Sequence, residues 1–343
     1  MDSLIFPAPE ADRAAIRVQP VFIPFQGCPA RCVFCAQTLQ TGEKPRAVRE
    51  VLAELAAGLD RALAEGRPAR ELAFYGGTFT ALPEEDQFSC LALAAAYRKK
   101  GMITKVRAST RPDFLDPALL AALRDAGLDM LELGVQSFSS AALAASKRGY
   151  DGETAAMGCE AVRQSGLQLG IQLMPGMPGM RETDFRNDLA LTLRQKPAAV
   201  RLYPCLVLAG TDLAALFERG AFAPWPLEAV IPLLADAQLA FWRADIPVIR
   251  IGLAAQDGLD DGGILAGPAH PALGSVVRSA ALFRYIDEET ARLGRPLAGL
   301  ALPRRFQGEF WGHKGAMKEQ YAALGLTGAN VVWHEVAYFE ARA

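Results

Sequence analysis

The chain has 343 residues, of which 51% are hydrophobic and 22% are charged, and its formal net charge is -2 with a pI near 6.0. These values are typical of a globular protein with one large core, or with a core and a small appendage. No apolar run reaches the roughly 18 to 20 residues that a membrane helix needs, and no charged and then apolar leader follows Met1. We therefore expect no membrane partner and a cytoplasmic, reducing location. The near-neutral charge gives no global electrostatic sign of nucleic-acid binding.

Predicted strands and helices alternate over most of the chain. After a predicted tail at residues 1–15, apolar periodicity predicts a core domain at residues 16–253. The predicted strands lie at residues 17–25, 71–75, 105–109, 130–135, 167–174 and 200–203, and the helices at residues 48–63, 84–99, 117–126, 153–164 and 182–194. This alternation predicts an α/β fold, a partial (β/α)6 TIM-like barrel, with an α-rich C-terminal extension at residues 254–343.

The first predicted strand is expected at the edge of its sheet. It contains Pro20 and Pro24, and proline cannot donate a hydrogen bond to a neighbouring strand. Such an edge is expected of a barrel that does not close.

Residues with special chemistry follow the predicted strands. Three cysteines follow the first strand, Gly76-Gly77-Thr78 follows the second, Ser109-Thr110-Arg111 ends the third and Gln136-Ser137 follows the fourth. The active site of a (β/α) barrel is built from the loops after the carboxyl ends of its strands. We therefore expect one site at this end of the sheet.

Three of the six cysteines, Cys28, Cys32 and Cys35, lie within eight residues. A structural zinc site needs four ligands, and the sequence offers no second cysteine pair and no nearby histidine pair. A disulfide would leave one of the three thiols unpaired. Iron–sulfur ligation remains, because cysteine thiolates hold such clusters at close spacings. Three thiolates can ligate three irons of a four-iron cluster, which leaves the fourth iron open to an outside ligand.

The Cys-x3-Cys-x2-Cys spacing resembles that of the radical SAM family. The resemblance implies that Cys28, Cys32 and Cys35 hold a [4Fe-4S] cluster. It implies that S-adenosyl-L-methionine (SAM) binds the open iron and is cleaved reductively to a 5′-deoxyadenosyl radical, and that Phe34 packs near the adenine. The alternatives are a chance grouping of cysteines and a three-thiolate zinc site.

The residues after the second and third strands gain roles from the same resemblance. Gly76, Gly77 and Thr78 match the Gly-Gly-x motif that holds the amine of SAM, although paired glycines also make ordinary tight turns. Ser109 and Arg111 would bind the ribose hydroxyls and the methionyl carboxylate through charge-assisted hydrogen bonds. A solvated loop arginine is the alternative for Arg111.

Two glutamines complete the predicted cofactor site. Gln136 follows an apolar strand, where a buried amide needs hydrogen-bond partners. Gln172 is a polar residue in the apolar stretch Ile171-Gln172-Leu173-Met174, and we predict that its side chain points into the barrel. A hydrogen bond at the sheet edge is the alternative for Gln172.

Within the radical SAM family, residues 25–252 are similar to the core of the catalytic subunit of Elongator, which modifies wobble uridine in transfer RNA (tRNA). The motifs that carry this likeness are Tyr75-Gly76-Gly77-Thr78-Phe79, Thr110-Arg111-Pro112-Asp113, Gly134-Val135-Gln136-Ser137, Met174-Pro175-Gly176-Met177-Pro178-Gly179, and Arg201-Leu202-Tyr203-Pro204 with Gly210-Thr211-Asp212-Leu213. A more distant likeness is to oxygen-independent coproporphyrinogen oxidase. The Elongator subunit spaces its first two cysteines more widely and continues into an acetyltransferase domain. Only about ninety residues follow Leu253, so we expect no such domain in this chain.

The extension carries one further candidate for the site. His270 lies in Gly267-Pro268-Ala269-His270-Pro271, and we predict that it is a catalytic residue at the barrel mouth, because the prolines would hold its imidazole rigidly. A structural histidine is the alternative. The acidic, glycine-rich residues 257–263 predict a mobile loop, for which a lid is a candidate role. We also predict a helix at residues 271–293, another that begins at Gly312-His313-Lys314-Gly315, and a final strand at residues 333–339.

These observations together predict a radical SAM enzyme with an Elongator-like core. Such an enzyme would need an electron donor such as flavodoxin or ferredoxin. Its substrate is left open between a small molecule and tRNA, and a tRNA substrate would need a basic surface that the net charge does not indicate. A non-catalytic module that binds SAM, or that senses redox state through its cluster, is the other alternative.

Overall fold

The computed structural model describes residues 2–10, 17–253, 262–293 and 296–343, and the chain divides into two compact units. The barrel unit is Ala15–Trp225 with Leu253–Gly267, and the second unit is Met1–Ala14 with Pro226–Gly252 and Pro268–Ala343. This division differs from the predicted one, because the N-terminal residues and Pro226–Gly252 group with the C-terminal residues. Most of the loop predicted as a lid, residues 257–263, lies outside the described residues.

The secondary structure of the described residues has the following bounds. The strands are β1 Ser3–Pro7, β2 Val18–Phe22, β3 Arg70–Tyr75, β4 Ile103–Thr110, β5 Met130–Gln136, β6 Gln168–Leu173, β7 Ala199–Leu202, β8 Val207–Leu208, β9 Val248–Ile251, β10 Ile264–Ala266, β11 Gly299–Pro303, β12 Val331–His334 and β13 Tyr338–Arg342. The helices are α1 Gln37–Thr41, α2 Val48–Ala64, α3 Glu84–Lys99, α4 Pro117–Asp125, α5 Ser140–Ala145, α6 Gly152–Gln164, α7 Glu182–Gln195, α8 Asp212–Glu218, α9 Leu227–Arg243, α10 Leu273–Thr290, α11 Gln307–Trp311 and α12 Lys318–Ala323. Short 3-10 helices lie at Phe79–Ala81, Ala291–Leu293, Arg304–Phe306 and His313–Gly315. Among these helices, none has the length and apolar character needed to cross a membrane.

Six strands of the barrel unit run parallel in the order β2-β3-β4-β5-β6-β7. At least one helix follows each strand, so the predicted α/β class and partial (β/α)6 barrel are confirmed. β2 pairs with β3 and stands at the end of the sheet, which is the edge position that Pro20 predicts. The carboxyl ends of all six strands lie at one edge of the sheet, where the predicted site residues follow them.

The two faces of this sheet differ in chemistry, because side chains alternate between faces along a strand. One face is apolar, and its side chains include Leu72, Phe74, Val106, Leu131 and Ile171, which are at most 1% exposed. Helix α3 packs on β4 and α6 packs on β6. Full burial of each such side chain contributes about 1.5 to 3 kcal/mol. The opposite face carries charged and polar residues, which belong to the candidate site.

The second unit contains a sheet of its own, in the order β1-β13-β11-β12. β1 lies within the predicted tail and pairs antiparallel with β13, because Phe6 packs into a buried cluster with Phe339 and Phe306. The predicted final strand at residues 333–339 is instead the end of β12 and the start of β13. The predicted α-rich extension therefore holds α10 to α12 and also strands.

Candidate functional site

The three close cysteines lie on the loop that follows β2. Cys32 is buried, Cys28 and Cys35 are half-buried, and all three are free thiols. The backbone N–H of Cys28 donates to the carbonyl oxygen of Phe25 at 3.2 Å, and that of Cys35 donates to Cys32 at 3.0 Å. The loop therefore turns twice, once before the first cysteine and once between the second and third.

Backbone hydrogen bonds join the start of this loop to the turn after β3. The N–H of Ile23 donates to the carbonyl of Tyr75 at 2.7 Å, and the N–H of Phe25 donates to Gly76 at 2.8 Å. Phe25 has a φ of 61°, an uncommon value for a residue with a side chain. The neighbouring strands β2 and β3 thus remain paired beyond their ends, and this pairing places the cysteine loop.

The glycine turn also packs directly under the cysteine loop. The N–H of Thr78 donates to the carbonyl of Gln26 at 2.9 Å, and its hydroxyl oxygen lies 3.4 Å from Sγ of Cys28. A Cβ at Gly77 would lie 2.2 Å from the carbonyl oxygen of Gln26, and a Cβ at Gly27 would lie 2.3 Å from that of Thr78. Glycine at residue 77 therefore allows the turn to lie directly against the backbone of the cysteine loop. The predicted contact of Gly76, Gly77 and Thr78 with the amine of SAM stays a prediction.

A buried arginine, which the sequence analysis did not single out, contacts the middle cysteine. Arg148 is 6% exposed, and its Nη1 donates to Sγ of Cys32 at 3.0 Å. Its Nη2 donates to the carbonyl oxygen of Gly134 at 2.6 Å and to the hydroxyl of Tyr150 at 2.8 Å. Burial by itself lowers the pKa of Arg148, but Tyr150 and Cys32 outweigh that effect and raise the pKa above its usual value. Arg148 therefore places a fixed positive charge beside one of the three thiols.

Arg111 is buried and already paired. Its Nε and Nη2 donate to the two carboxylate oxygens of Asp113 at 2.9 and 2.7 Å, and Nη2 also donates to the backbone carbonyl of Arg148. At 6% exposure it is not the solvated loop arginine of the alternative interpretation. Asp113 takes the bidentate position that a ligand carboxylate would need, so the predicted contact with the methionyl carboxylate stays a prediction.

The structure brings the two predicted glutamines together. Nε2 of Gln172 donates to Oε1 of Gln136 at 3.0 Å. Gln136 has a φ of 65°, and the ladder between β5 and β6 is irregular between Leu133 and Gln136. Non-glycine residues rarely adopt such a φ, and residues that do are found often at binding sites. This hydrogen bond gives the buried amide of Gln136 a partner, and it joins the polar side chain of Gln172 to another side chain of the barrel unit.

A network of charged side chains lies on the polar face of the sheet. Nε of Arg201 donates to Oε2 of Glu132 at 2.5 Å, and the hydroxyl of Tyr75 donates to Oε1 of Glu132 at 2.7 Å. Arg107 lies 3.1 Å from a carboxylate oxygen of Glu71 and 3.6 Å from one of Glu132. Burial and the Glu132 carboxylate raise the pKa of Tyr75, so it stays a hydrogen-bond donor. The signal for this network was present in the sequence, as single charges at alternate positions within apolar strands.

The other predicted residues lie as follows. Phe34 is 7% exposed, so its ring is buried within the barrel unit. Ser109 is half-buried and is in register with Glu132, which places it on the polar face. The predictions that Phe34 packs near adenine and that Ser109 binds ribose are untested by these positions.

His270 belongs to the second unit. Its Nδ1 accepts a hydrogen bond from the backbone N–H of Ala272 at 3.0 Å, so the neutral ring carries its proton on Nε2. Its ring centroid lies 5.4 Å from that of His313, with the two rings edge to face. This hydrogen bond orients the imidazole, and the predicted place of His270 at the barrel mouth stays a prediction.

Comparison with protein families decides the class of the protein. A model described as the radical SAM superfamily matches residues 22–192, and a model described as the Radical_SAM C-terminal domain matches residues 197–281. The chain belongs to the radical SAM superfamily. This membership indicates an enzyme and confirms the resemblance that the cysteine spacing predicts.

Similar proteins confirm the likeness of this radical SAM chain to Elongator. It is 28% identical over 250 residues to the tRNA uridine(34) acetyltransferase of Methanocaldococcus infernus, an alignment that covers 62% of this chain and 47% of that protein. It is 27% identical over 220 residues to Elongator complex protein 3 of Drosophila melanogaster, over 55% of this chain and 39% of that protein. The chain spans less than half the length of these two curated relatives. A solved structure of the archaeal Methanocaldococcus infernus Elp3 with an N-terminal deletion aligns with a TM-score of 0.59 and 24% identity, over 80% of this chain and 64% of that chain, and supports the fold alone.

The cysteine loop fits the cluster that the radical SAM superfamily implies. Its donor set is three thiols, and soft thiolate ligands are those that hold iron–sulfur clusters. Burial raises the pKa of Cys35 to about 12, and the neighbouring Cys32 and Cys28 raise it too. Within the described ranges no three His, Cys, Asp or Glu side chains form a ready-made metal site. A coordinating metal deprotonates a thiol outright, so a raised pKa of the free thiol does not oppose this fit.

Proposed function

We propose that the chain is a radical SAM enzyme in which Cys28, Cys32 and Cys35 hold a [4Fe-4S] cluster. When bound, the reduced cluster and SAM would supply a 5′-deoxyadenosyl radical that abstracts a hydrogen atom from a substrate or adds to it. The observation that carries the proposal is the cysteine loop itself, which is built onto a Gly-Gly-Thr turn in a chain of this superfamily.

The residues of the barrel unit would bind and orient the cofactor. The thiolates hold the cluster, and Arg148 fixes Cys32 through its hydrogen bond. The amides of Gln136 and Gln172 and the hydroxyl of Ser109 offer both donors and acceptors, which suits the hydroxyl groups of a ribose.

Two groups are candidates for contact with the substrate. Tyr75 stays a donor beside Glu132, because burial raises the pKa of its hydroxyl. We also propose that His270 contacts substrate as an acid–base group, because its Nε2 carries the exchangeable proton in the neutral ring.

Reductive cleavage of SAM tests the enzyme proposal. Protein reconstituted anaerobically with iron and sulfide, and then reduced by dithionite, should convert SAM to methionine and 5′-deoxyadenosine. Cys32→Ala should lose both iron and cleavage, whereas Cys90→Ala, at a buried core cysteine of α3, should keep both. A full iron complement with bound SAM but no cleavage would favour the sensor interpretation instead.

Two classes of substrate are candidates. A tRNA is one, because the curated relatives are described as tRNA uridine(34) acetyltransferases. A small molecule is the other, because the net charge of -2 gives no sign of the basic surface that tRNA binding needs. A gel-shift titration of total tRNA separates the two. Binding to tRNA should weaken steeply as salt rises, since it releases counterions from phosphates, and an absence of any shift at low salt would favour the small molecule. In either case the proposal places the enzyme in the cytoplasm with a flavodoxin or ferredoxin as electron donor.

A further inference from the structure

A buried carboxyl group lies under the turn that follows β5. Asp188 of α7 is 1% exposed. Its Oδ2 accepts a hydrogen bond from the hydroxyl of Ser137 at 2.7 Å, and its Oδ1 accepts one from the backbone N–H of Phe138 at 2.7 Å. Burial of a carboxyl group is unfavourable without partners, so both oxygens are used to hold this turn.

The turn that Asp188 holds is continuous with a strained residue. Gln136, with its φ of 65°, directly precedes Ser137. The hydroxyl oxygen of Ser137 also accepts from the N–H of Ser139 at 2.9 Å, so one network fixes the three residues after Gln136. Strained backbone persists only where surrounding contacts enforce it, and here the contacts come from Asp188.

The strained backbone determines where the amide of Gln136 lies. Its Oε1 accepts from Gln172, and its Nε2 occupies space that Gly134 leaves free, because a Cβ at residue 134 would lie 2.9 Å from that nitrogen. The backbone carbonyl of Gln136 accepts from the N–H of Met174 at 2.8 Å, which ties the turn to the end of β6. A change at Ser137 or Phe138 would therefore redirect this amide.

We propose that Asp188 is a positioning residue for SAM, which acts through Ser137 and Phe138 to hold the amide of Gln136 in the orientation that binds the cofactor. The inference rests on the proposed function, because it needs SAM at the carboxyl end of the sheet. The hydrogen bonds of Asp188 in the described part of the chain go to Ser137 and Phe138 and not to either glutamine, so it acts on the cofactor indirectly in this scheme. Its contribution is to binding geometry.

Equilibrium dialysis of labelled SAM against cluster-loaded protein tests the inference. Asp188→Ala removes both hydrogen bonds and should weaken SAM binding at least about tenfold, with the iron content unchanged. Asp188→Asn keeps an acceptor for the N–H of Phe138, and its amide N–H can donate to the hydroxyl oxygen of Ser137 in a bond of reversed direction, so it should restore binding to within about twofold of wild type. Ser137→Ala, which leaves the Phe138 contact in place, should fall between the two.

The matched control is Thr192→Ala on the same helix. Thr192 is fully buried, and its hydroxyl has no hydrogen-bond partner in the part of the chain that the structure describes. If SAM binding only followed the stability of α7, Thr192→Ala would weaken it as well. Faster hydrogen exchange of the Phe138 amide in Asp188→Ala, and not in Thr192→Ala, is the second expected result.

Two failures are distinguishable. Normal SAM binding by folded Asp188→Ala and Ser137→Ala, beside a wild type that binds, overturns this inference and leaves the proposed function standing. A wild-type protein with full iron that binds no SAM overturns the proposed function and this inference with it.

Discussion

Gly77 lies against the carbonyl oxygen of Gln26, and a Cβ at residue 77 would be 2.2 Å from that oxygen and 2.9 Å from the carbonyl oxygen of Ile23. Real Cβ atoms essentially never approach a backbone atom this closely, so any side chain at residue 77 must displace the chain that leads into the cysteines. Gln26 is two residues before Cys28. The Gly-Gly-Thr turn therefore supports the cysteine loop by direct backbone packing, independently of any contact with SAM.

Gly77→Ala should consequently reduce both stability and iron content. Forcing a methyl group into this space costs roughly 1 to 3 kcal/mol of unfolding free energy, and the displaced loop should hold less iron after reconstitution. Denaturant unfolding of the apo protein and an iron assay measure the two effects. Gly58→Ala in α2 is the control, because its Cβ would meet nothing closer than 3.9 Å and alanine favours a helix.

A different result would show that the glycine turn serves SAM binding and not the cysteine loop. If Gly77→Ala kept full iron and normal stability and only bound SAM more weakly, the family interpretation of the glycine motif would hold without the role in loop packing.

The six cysteines should divide into two groups of three. Cys28→Ala, Cys32→Ala and Cys35→Ala should each lose the cluster, because each leaves one iron without its thiolate. Cys90 of α3, Cys159 of α6 and Cys205 are at most 2% exposed and lie singly, far in sequence from the cysteine loop, so their alanine variants should keep about four irons per chain. Iron and sulfide assays on all six variants test this division. Loss of iron in any of the second three contradicts the ligand assignment.

The six parallel strands of the barrel unit could be predicted from sequence because each is an apolar run between turn residues, whereas the short strands β8 and β10 were not predicted. The edge position of β2 was also predictable, from Pro20. Both features are local, since periodicity and proline act within a few residues. The cysteine loop was predictable for the same reason, because its three cysteines lie within eight residues.

The contacts that the sequence did not reveal join residues far apart in the chain. Arg148 donates to Cys32 across 116 positions, and Arg201 pairs with Glu132 across 69. A single buried charge indicates that a partner exists, but strand order and register decide which residue it is. β1 was missed for a related reason, because its short apolar stretch becomes a strand only through its pairing with β13.

Asp188 should make stability depend on pH. Burial raises its pKa to about 7, although the hydrogen bonds from Ser137 and Phe138 act in the opposite direction. The unfolded chain, with an ordinary pKa of 3.8, releases this proton first as pH rises. The contribution of Asp188 is therefore fully present below pH 3.8 and is lost as pH rises through about 7, by at most about 1.4 kcal/mol per pH unit.

Asp188→Asn should flatten this dependence, because the amide does not titrate. Unfolding free energies at several pH values between 4 and 8 measure it. Asp184→Asn on the same helix is the control, since Arg181 lowers the pKa of Asp184 below 3.8 and its contribution is lost only at more acidic pH, so this variant should keep the wild-type slope between pH 4 and 8. Parallel pH curves for wild type and Asp188→Asn would show that folding does not raise the pKa of Asp188.

Arg148→Met should lower the reduction potential of the cluster. The guanidinium is buried, charged and 3.0 Å from the sulfur of Cys32, and methionine removes both the positive charge and the hydrogen bond to that sulfur. Net charge and hydrogen bonds to the sulfurs are among the factors that set the potential of an iron–sulfur cluster, and losing a nearby cation disfavours the added electron. A redox titration followed by electron paramagnetic resonance measures the shift on iron-loaded protein.

The comparison must separate this charge effect from simple loss of packing, because Arg148 also donates to Gly134 and Tyr150. Arg148→Lys and Arg148→Met both lose the planar guanidinium that contacts the carbonyl of Gly134, but only the lysine retains a positive charge. The reduction potential of the cluster in Arg148→Lys should therefore lie between those of wild type and Arg148→Met. Arg163→Met, at an exposed arginine of α6 paired with Glu160, should leave the potential unchanged. Equal potentials for wild type and Arg148→Met, at equal iron content, would show that the arginine holds the loop without influencing the electrons of the cluster.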